Sequence, residues 1–269
     1  MSKETIPVTV ILTHYRRPYT VLKALMSLAN QTVRPREIIV IDDSSPEPEF
    51  QILLSNAYSF IPPSTLRVFE TPFNVGLGRT RNMAASIATQ HYVAMMDDDD
   101  TWHPEKLELQ YTAFMANPHG AFCFTGGFKG GVKRFPAYRW EYIFDDLYLG
   151  QSINHVTGPT MMVNRFHLSS VGGWGLARHT EDLATALRLS VIGTAYCIDQ
   201  PLIYHPEHNP DSLTGSQGQL KTVYNYLKAL TEGARFAVAC GHKLPVPLVV
   251  RYKQVLTNYM KGQIVRLIK

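Results

Sequence analysis

Long apolar runs are missing from this chain of 269 residues. No window approaches the roughly eighteen uninterrupted apolar residues of a bilayer-spanning helix, which excludes that class. The opening Met1-Ser2-Lys3-Glu4-Thr5-Ile6-Pro7 lacks the apolar core of a signal peptide, and the cysteine usage fits a reducing cytoplasm, where the protein is expected. Cysteine is scarce. Cys123, Cys197 and Cys240 stand far apart with no Cys-x-x-Cys pair, which argues against a zinc site or a disulfide framework. All three are expected to be buried small hydrophobes. There is no Gly-x-x-x-x-Gly-Lys-Ser/Thr phosphate loop and no Gly-x-Ser-x-Gly nucleophile elbow. Gly76-Leu77-Gly78-Arg79-Thr80-Arg81 begins like a dinucleotide fingerprint but has Arg where its third glycine belongs, after the wrong strand. Acid is absent after Glu232, apart from the terminal carboxylate, whereas Lys243, Arg251, Lys253, Lys261, Arg266 and Lys269 all fall there. Such a basic tail suits peripheral contact with anionic membrane, an acidic partner, or an ordinary solvated helical cap.

What remains is an ordinary globular composition, 45% hydrophobic and 18% charged, with a net charge of only +4 that gives no reason to expect nucleic acid. Buried strands are expected at Val8–Leu12, Glu37–Ile41, Leu66–Phe69 and Tyr92–Met96. Helical spacing runs from Pro18 through Val21, Leu25 and Leu28, and again over Gly78–Thr89, with a short helix at Ile52–Leu54. Continuous apolar strands alternating with helices predict an α/β fold, its mostly parallel central sheet covered by helices on both faces. Further on, Gly126–Gly131 reads as a flexible loop, and a helix is expected to start near Thr180. Strands are expected at Ala195–Ile198 and Leu202–Tyr204, and two C-terminal helices are separated by Pro245-Val246-Pro247.

In such sheets ligands sit beyond the carboxyl ends of the strands. Thr13-His14-Tyr15, Asp42-Asp43 and Asp97–Asp100 all occupy those ends. The run of four aspartates directly after Tyr92-Val93-Ala94-Met95-Met96 is the strongest single signal. Carboxylates about 4 Å apart repel by about 1 kcal/mol even in water, so either full solvation or a hard cation such as Mg²⁺ or Mn²⁺ must relieve them.

In order, Val10–Pro18, Ser27–Thr32, Ile39–Ser45, Asn74-Val75-Gly76 with Arg81-Asn82, Met96–Leu107 and Thr180–Leu183 resemble the family-two glycosyltransferases of GT-A fold. The resemblance covers roughly residues 8–215. It departs at the first strand exit, where the family often has Pro-Thr-Tyr-Asn and this chain has Thr13-His14-Tyr15-Arg16.

The resemblance implies a catalytic domain over 1–215, with a nucleotide-binding half to about residue 100 and an acceptor-binding half over 101–215. A helical extension over 216–269 follows. Asp97 and Asp99 would hold the cation of a sugar-nucleotide diphosphate, joined by His208, with His205 as its rival. Thr13, Tyr15, Asp43, Arg81, Asp98 and Asp100 would contact the nucleotide sugar. Asp43 reads the base or simply closes its turn, and Asp100 orients sugar hydroxyls or caps the next turn. Asp182 would be the general base of an inverting transfer, supported by Glu181, which also meets the acceptor; both acids would equally suit a helix N-terminus. Trp174 would stack on an acceptor sugar or pack in the core.

The function implied is transfer of a hexosyl or N-acetylhexosaminyl group from a nucleotide sugar, UDP-linked, to a glycan or lipid-linked hydroxyl in cell-surface polysaccharide synthesis. The rivals are a non-catalytic nucleotide-sugar binding module and a sugar-1-phosphate nucleotidyltransferase. Residues 12–18 lack the Gly-rich loop that the second of these needs.

Overall fold

Strands with apolar residues at every position dictate a sheet buried on both sides, and the computed structural model has that architecture. It describes residues 3–46, 51, 57–128, 141–150, 156–176, 180–205 and 219–268. Among them are β1 (Thr5–His14), α1 (Pro18–Ala29), β2 (Arg34–Asp42), β3 (Leu66–Glu70), α2 (Leu77–Ile87), β4 (Tyr92–Asp97), β5 (Thr101–Trp102), α3 (Lys106–Ala116) and β6 (Phe122–Phe128). There follow α4 (Phe144–Leu149), a 3-10 turn (Gly158–Thr160), β7 (Met161–Asn164), α5 (Arg165–Ser170), α6 (Glu181–Ile192), β8 (Ala195–Tyr204), α7 (Gln219–Ala239) and α8 (Leu248–Ile268). The short helix expected at Ile52–Leu54 lies outside the described residues.

One eight-stranded sheet runs β3-β2-β1-β4-β7-β6-β8-β5. The first four strands are parallel; β7 and β5 run against their neighbours, and β6 and β8 pair in parallel. Side chains alternate strictly between faces. Ile11, Ile39, Ile41, Val93 and Met95 point into one core beneath α2, α4, α6 and α7. Val10, Leu12, Ile38, Val40, Ala94 and Met96 point into the other, beneath α1 and α3. In α1 the buried Val21, Ala24, Leu25 and Leu28 form one stripe behind a Pro at the helix start, as the spacing predicts.

Three local expectations change. Gly126 and Gly127 belong to β6, because their backbones pair with Pro201 and Ile203 across register shifts that a small residue tolerates. The two segments expected around 195–204 are the single strand β8. Cys240 is exposed just past α7, whereas Cys123 and Cys197 are buried as expected.

Register positions the chemistry. Thr13 pairs with both Ile41 and Asp97, and His14 pairs with Asp42, so three strand exits share one rim. The antiparallel pair Thr101–Tyr204 then places Asp100 opposite His205. The C-terminal helices reach the same rim indirectly. The Thr180 hydroxyl donates to the Asn225 carbonyl in α7 at 2.9 Å, next to the first residue of α6.

Candidate active site

Each of the four aspartates at the β4 exit has a cationic or imidazole partner. Arg81 Nη2 lies 2.6 Å from Asp97 Oδ1. Arg17 Nη1 is 2.9 Å from Asp98 Oδ1 and 2.7 Å from Asp99 Oδ2. His205 Nδ1 is 2.6 Å from Asp100 Oδ1. Asp98 is also bonded to His14 Nδ1 at 2.9 Å and accepts the Tyr15 N–H at 3.1 Å. It therefore faces the β1 exit while sharing Arg17 with Asp99. Asp97, Asp99 and Asp100 bring carboxylate oxygens within 4.8 Å of one another. Asp100 Oδ2 is buried with no hydrogen-bond partner. Burial raises the Asp100 carboxyl above its ordinary range, with Asp97 and Asp99 adding to the rise and His205 opposing it. Burial alone would lower His205, but the bond to Asp100 and the surrounding acids carry it above its usual value. Three close carboxylates with an orphaned oxygen fit a hard divalent cation, which takes oxygen ligands.

Beside this cluster the β1 and β2 exits are cross-linked. Asp42 accepts the Ser45 N–H and hydroxyl at 2.8 and 2.5 Å, and Ser45 Oγ accepts the Arg16 N–H at 2.8 Å. Arg16 and Ser44 hold φ of 57° and 64°, the left-handed region that costs a residue with a side chain. Thr13 is buried and Tyr15 half-buried on this rim. Asp43 is buried too, and its carboxylate accepts the Thr71 hydroxyl and the Val75 and Gly76 N–H groups at 3.1, 2.8 and 2.8 Å. In this structure it shapes the loop leading into α2.

Across the rim, Glu181 and Asp182 form the first turn of α6. Asp182 accepts the Leu183 N–H at 2.8 Å and the Gly158 N–H at 3.3 Å, which fixes its orientation. Glu181 Oε1 lies 2.8 Å from Arg81 Nη1. Burial raises both carboxyls. For Glu181 the neighbouring Asp182 adds to that rise, and Arg81 opposes it for both. Burial alone would lower Arg81, but Asp97, Glu181 and Asp182 hold its guanidinium above its ordinary value. Trp174 is buried, its ring 5.3 Å from the Arg81 guanidinium carbon, inside the core beneath α6.

The structure thus gathers Thr13, Tyr15, Asp43, Arg81, Asp97–Asp100, Glu181 and Asp182 around one rim, whereas Trp174 packs in the core behind it with no ring face open to an acceptor sugar; His208 lies outside the described residues. Sequence reasoning gave no individual role to Arg17, His14, Gly158 or Lys106, although His14 stands in the Thr13-His14-Tyr15 cluster. The first two lie within two residues of Tyr15, and position at the β1 exit was their available signal. Lys106 is fully buried, with Nζ donating to Gln110 Oε1 at 2.7 Å and sitting 3.8 Å from the Trp102 ring centre; burial lowers it to about 7.

The family model for glycosyl transferase family 2 matches residues 9–172. Over 268 residues the chain is 26% identical to an uncharacterized glycosyltransferase of Haemophilus influenzae, covering 93% of this chain and 87% of that one. It is 28% identical over 111 residues to WfgD of Escherichia coli, named as a UDP-Glc:alpha-D-GlcNAc-diphosphoundecaprenol beta-1,3-glucosyltransferase. That match spans 41% of this chain and 42% of WfgD. The structure of S. aureus TarS 1-349 in complex with UDP-GlcNAc superposes with a TM-score of 0.70 at 16% identity, over 95% of this chain and 72% of TarS 1-349. That likeness establishes the GT-A fold.

Proposed function

The chain belongs to glycosyl transferase family 2, and on that premise we propose that it moves one sugar, with inversion, from a UDP-sugar to a hydroxyl of a glycan or lipid-linked acceptor. The observation that carries this reading is the single rim on which a cation-competent carboxylate cluster and the Glu181–Asp182 pair meet, joined through Arg81. The nucleotide sugar bound to TarS and the lipid diphosphate acceptor in the name of WfgD support the donor and acceptor classes.

Asp97, Asp99 and Asp100 would hold Mn²⁺ or Mg²⁺. When bound, that cation supplies Lewis-acid stabilisation of the departing diphosphate, worth several kcal/mol as an order of magnitude. The rest falls to the chain's own groups. Thr13 and Tyr15 line the base and ribose side. Asp43 fixes the loop over residues 71–76, with its remaining acceptor capacity available to the base. Asp182, oriented by two backbone N–H groups, takes the proton of the acceptor hydroxyl as that oxygen bonds to the anomeric carbon and the bond to the diphosphate breaks. Its raised proton affinity suits a base better than an ordinary surface carboxylate. The catalytic unit is read as residues 1–215, with the helices beyond it buttressing α6.

Thermal-shift screening of nucleotide sugars with and without Mn²⁺, followed by measurement of nucleotide release, tests the assignment. UDP-sugars are expected to raise Tm only with the cation present, and chelation to abolish release until Mn²⁺ or Mg²⁺ is returned. Equal donor binding and turnover in chelator would sink it.

The exposed Val249, Leu256 and Met260 of α8, in an acid-free basic segment, support peripheral contact with anionic membrane. Sedimentation with anionic vesicles should fall when residues 243–269 are removed, and equal sedimentation of both forms would exclude that contact.

A further inference from the structure

Two consecutive residues of α2, Arg81 and Asn82, reach the acceptor side of the rim from the donor side. Arg81 is 2% exposed. Its two terminal nitrogens are paired, one with Asp97 sixteen residues away and one with Glu181 a hundred residues away. One edge of its environment is backbone. A Cβ on Gly158 would lie 2.6 Å from both Nη atoms, so only glycine leaves room for the guanidinium there. That same Gly158 donates its N–H to Asp182. Asn82 makes a reciprocal pair with the Trp174 backbone, accepting its N–H at 2.6 Å and donating to its carbonyl at 3.0 Å.

We propose that Arg81 is a positioning residue that fixes the first turn of α6, with Asp182, at a set distance from the β4 exit. A planar fork is required. It engages two carboxylates in divergent directions while lying against glycine backbone and an indole ring, which a single ammonium does not reproduce. Both Nη atoms are committed within the protein, so the residue acts on the alignment of acceptor and donor, with little direct hold on the nucleotide. What is being aligned rests on the transferase reading; the bridge itself does not.

Arg81→Lys and Gly158→Ala probe this with charge retained. In both, kcat for nucleotide release from a sugar donor is expected to fall about 100-fold, the scale of a misplacement of about 1 Å. The Kd of UDP with Mn²⁺, measured by calorimetry, should stay within about threefold. A tenfold weaker UDP Kd with kcat unchanged at saturating donor would instead make Arg81 a nucleotide contact and overturn the proposal.

A second measurement needs no turnover. Arg81→Gln should lower Tm by about 5 °C or more, the scale of unpairing a buried carboxylate. Adding Glu181→Gln to that chain should recover part of the loss, since the orphaned charge is removed. If the two substitutions act additively, the bridge is refuted. A wild type that turns over no nucleotide sugar defeats the transferase reading alone, and the Tm comparison still decides the bridge.

Discussion

Two buried glutamates sit at opposite ends of the same sheet and experience opposite fates. Glu37, at the amino-terminal end of β2, accepts from the Thr9 hydroxyl at 2.7 Å, the Thr89 N–H at 2.8 Å, the Thr89 hydroxyl at 3.0 Å and Arg67 Nη1 at 2.5 Å. Burial alone would raise its carboxyl, yet these donors hold it below its ordinary 4.5. Glu181, on the far rim, shares one guanidinium with Asp97 and sits beside Asp182. Burial and that neighbour push it up to about 7 despite Arg81. Hydrogen-bond saturation makes the first carboxylate a structural tie. Burial, with the Asp182 charge beside Glu181 and the Asp97 charge near both, leaves the second pair with a raised affinity for protons despite Arg81. The same residue type is a structural tie at one end of the fold and holds a raised proton affinity at the other.

The sharpest way to break this contrast is Asp182→Asn. If the buried pair on the far rim performs the proton transfer, turnover should drop by about 10² to 10⁴-fold while UDP binding persists. Unchanged turnover would place the base elsewhere.

A smaller effect separates the two glutamates by sign. Glu37 contributes stability that is fully present above 4.5 and is lost as pH falls through its lowered value. Glu181, its value raised, contributes stability present below 4.5 and lost as pH rises through about 7. The Tm difference between Glu37→Gln and wild type should therefore grow more negative as pH rises from 3 to 5, by roughly a few degrees. The difference for Glu181→Gln should move in the positive direction between 5 and 8. Parallel pH trends in the two variants would remove the distinction.

Much of this molecule was legible before any coordinates. Val10–Leu12, Ile38–Ile41 and Val93–Met96 are apolar at every position because they are covered on both faces, and a run of that kind admits few alternatives. The rim followed from it, since parallel strands share one carboxyl end. Other parts were not legible. β5 is two residues long, too short to leave a periodic signal, yet its pairing with β8 delivers His205 to Asp100. Gly126 and Gly127 carry turn chemistry in isolation and become strand only because β8 offers them partners. Arg81 matched a family motif, but its dual pairing joins residues sixteen and a hundred positions away, and no local pattern encodes that.

The amino-acid sequence on its own settled the layered sheet, its direction and the acidic character of one edge, because burial and strand exit are written in short-range apolar patterning. Tertiary structure alone decided which acid meets which cation. That depends on where separate segments come to rest, and charge pairing over a few ångströms is set by the packed backbone rather than by neighbours along the chain.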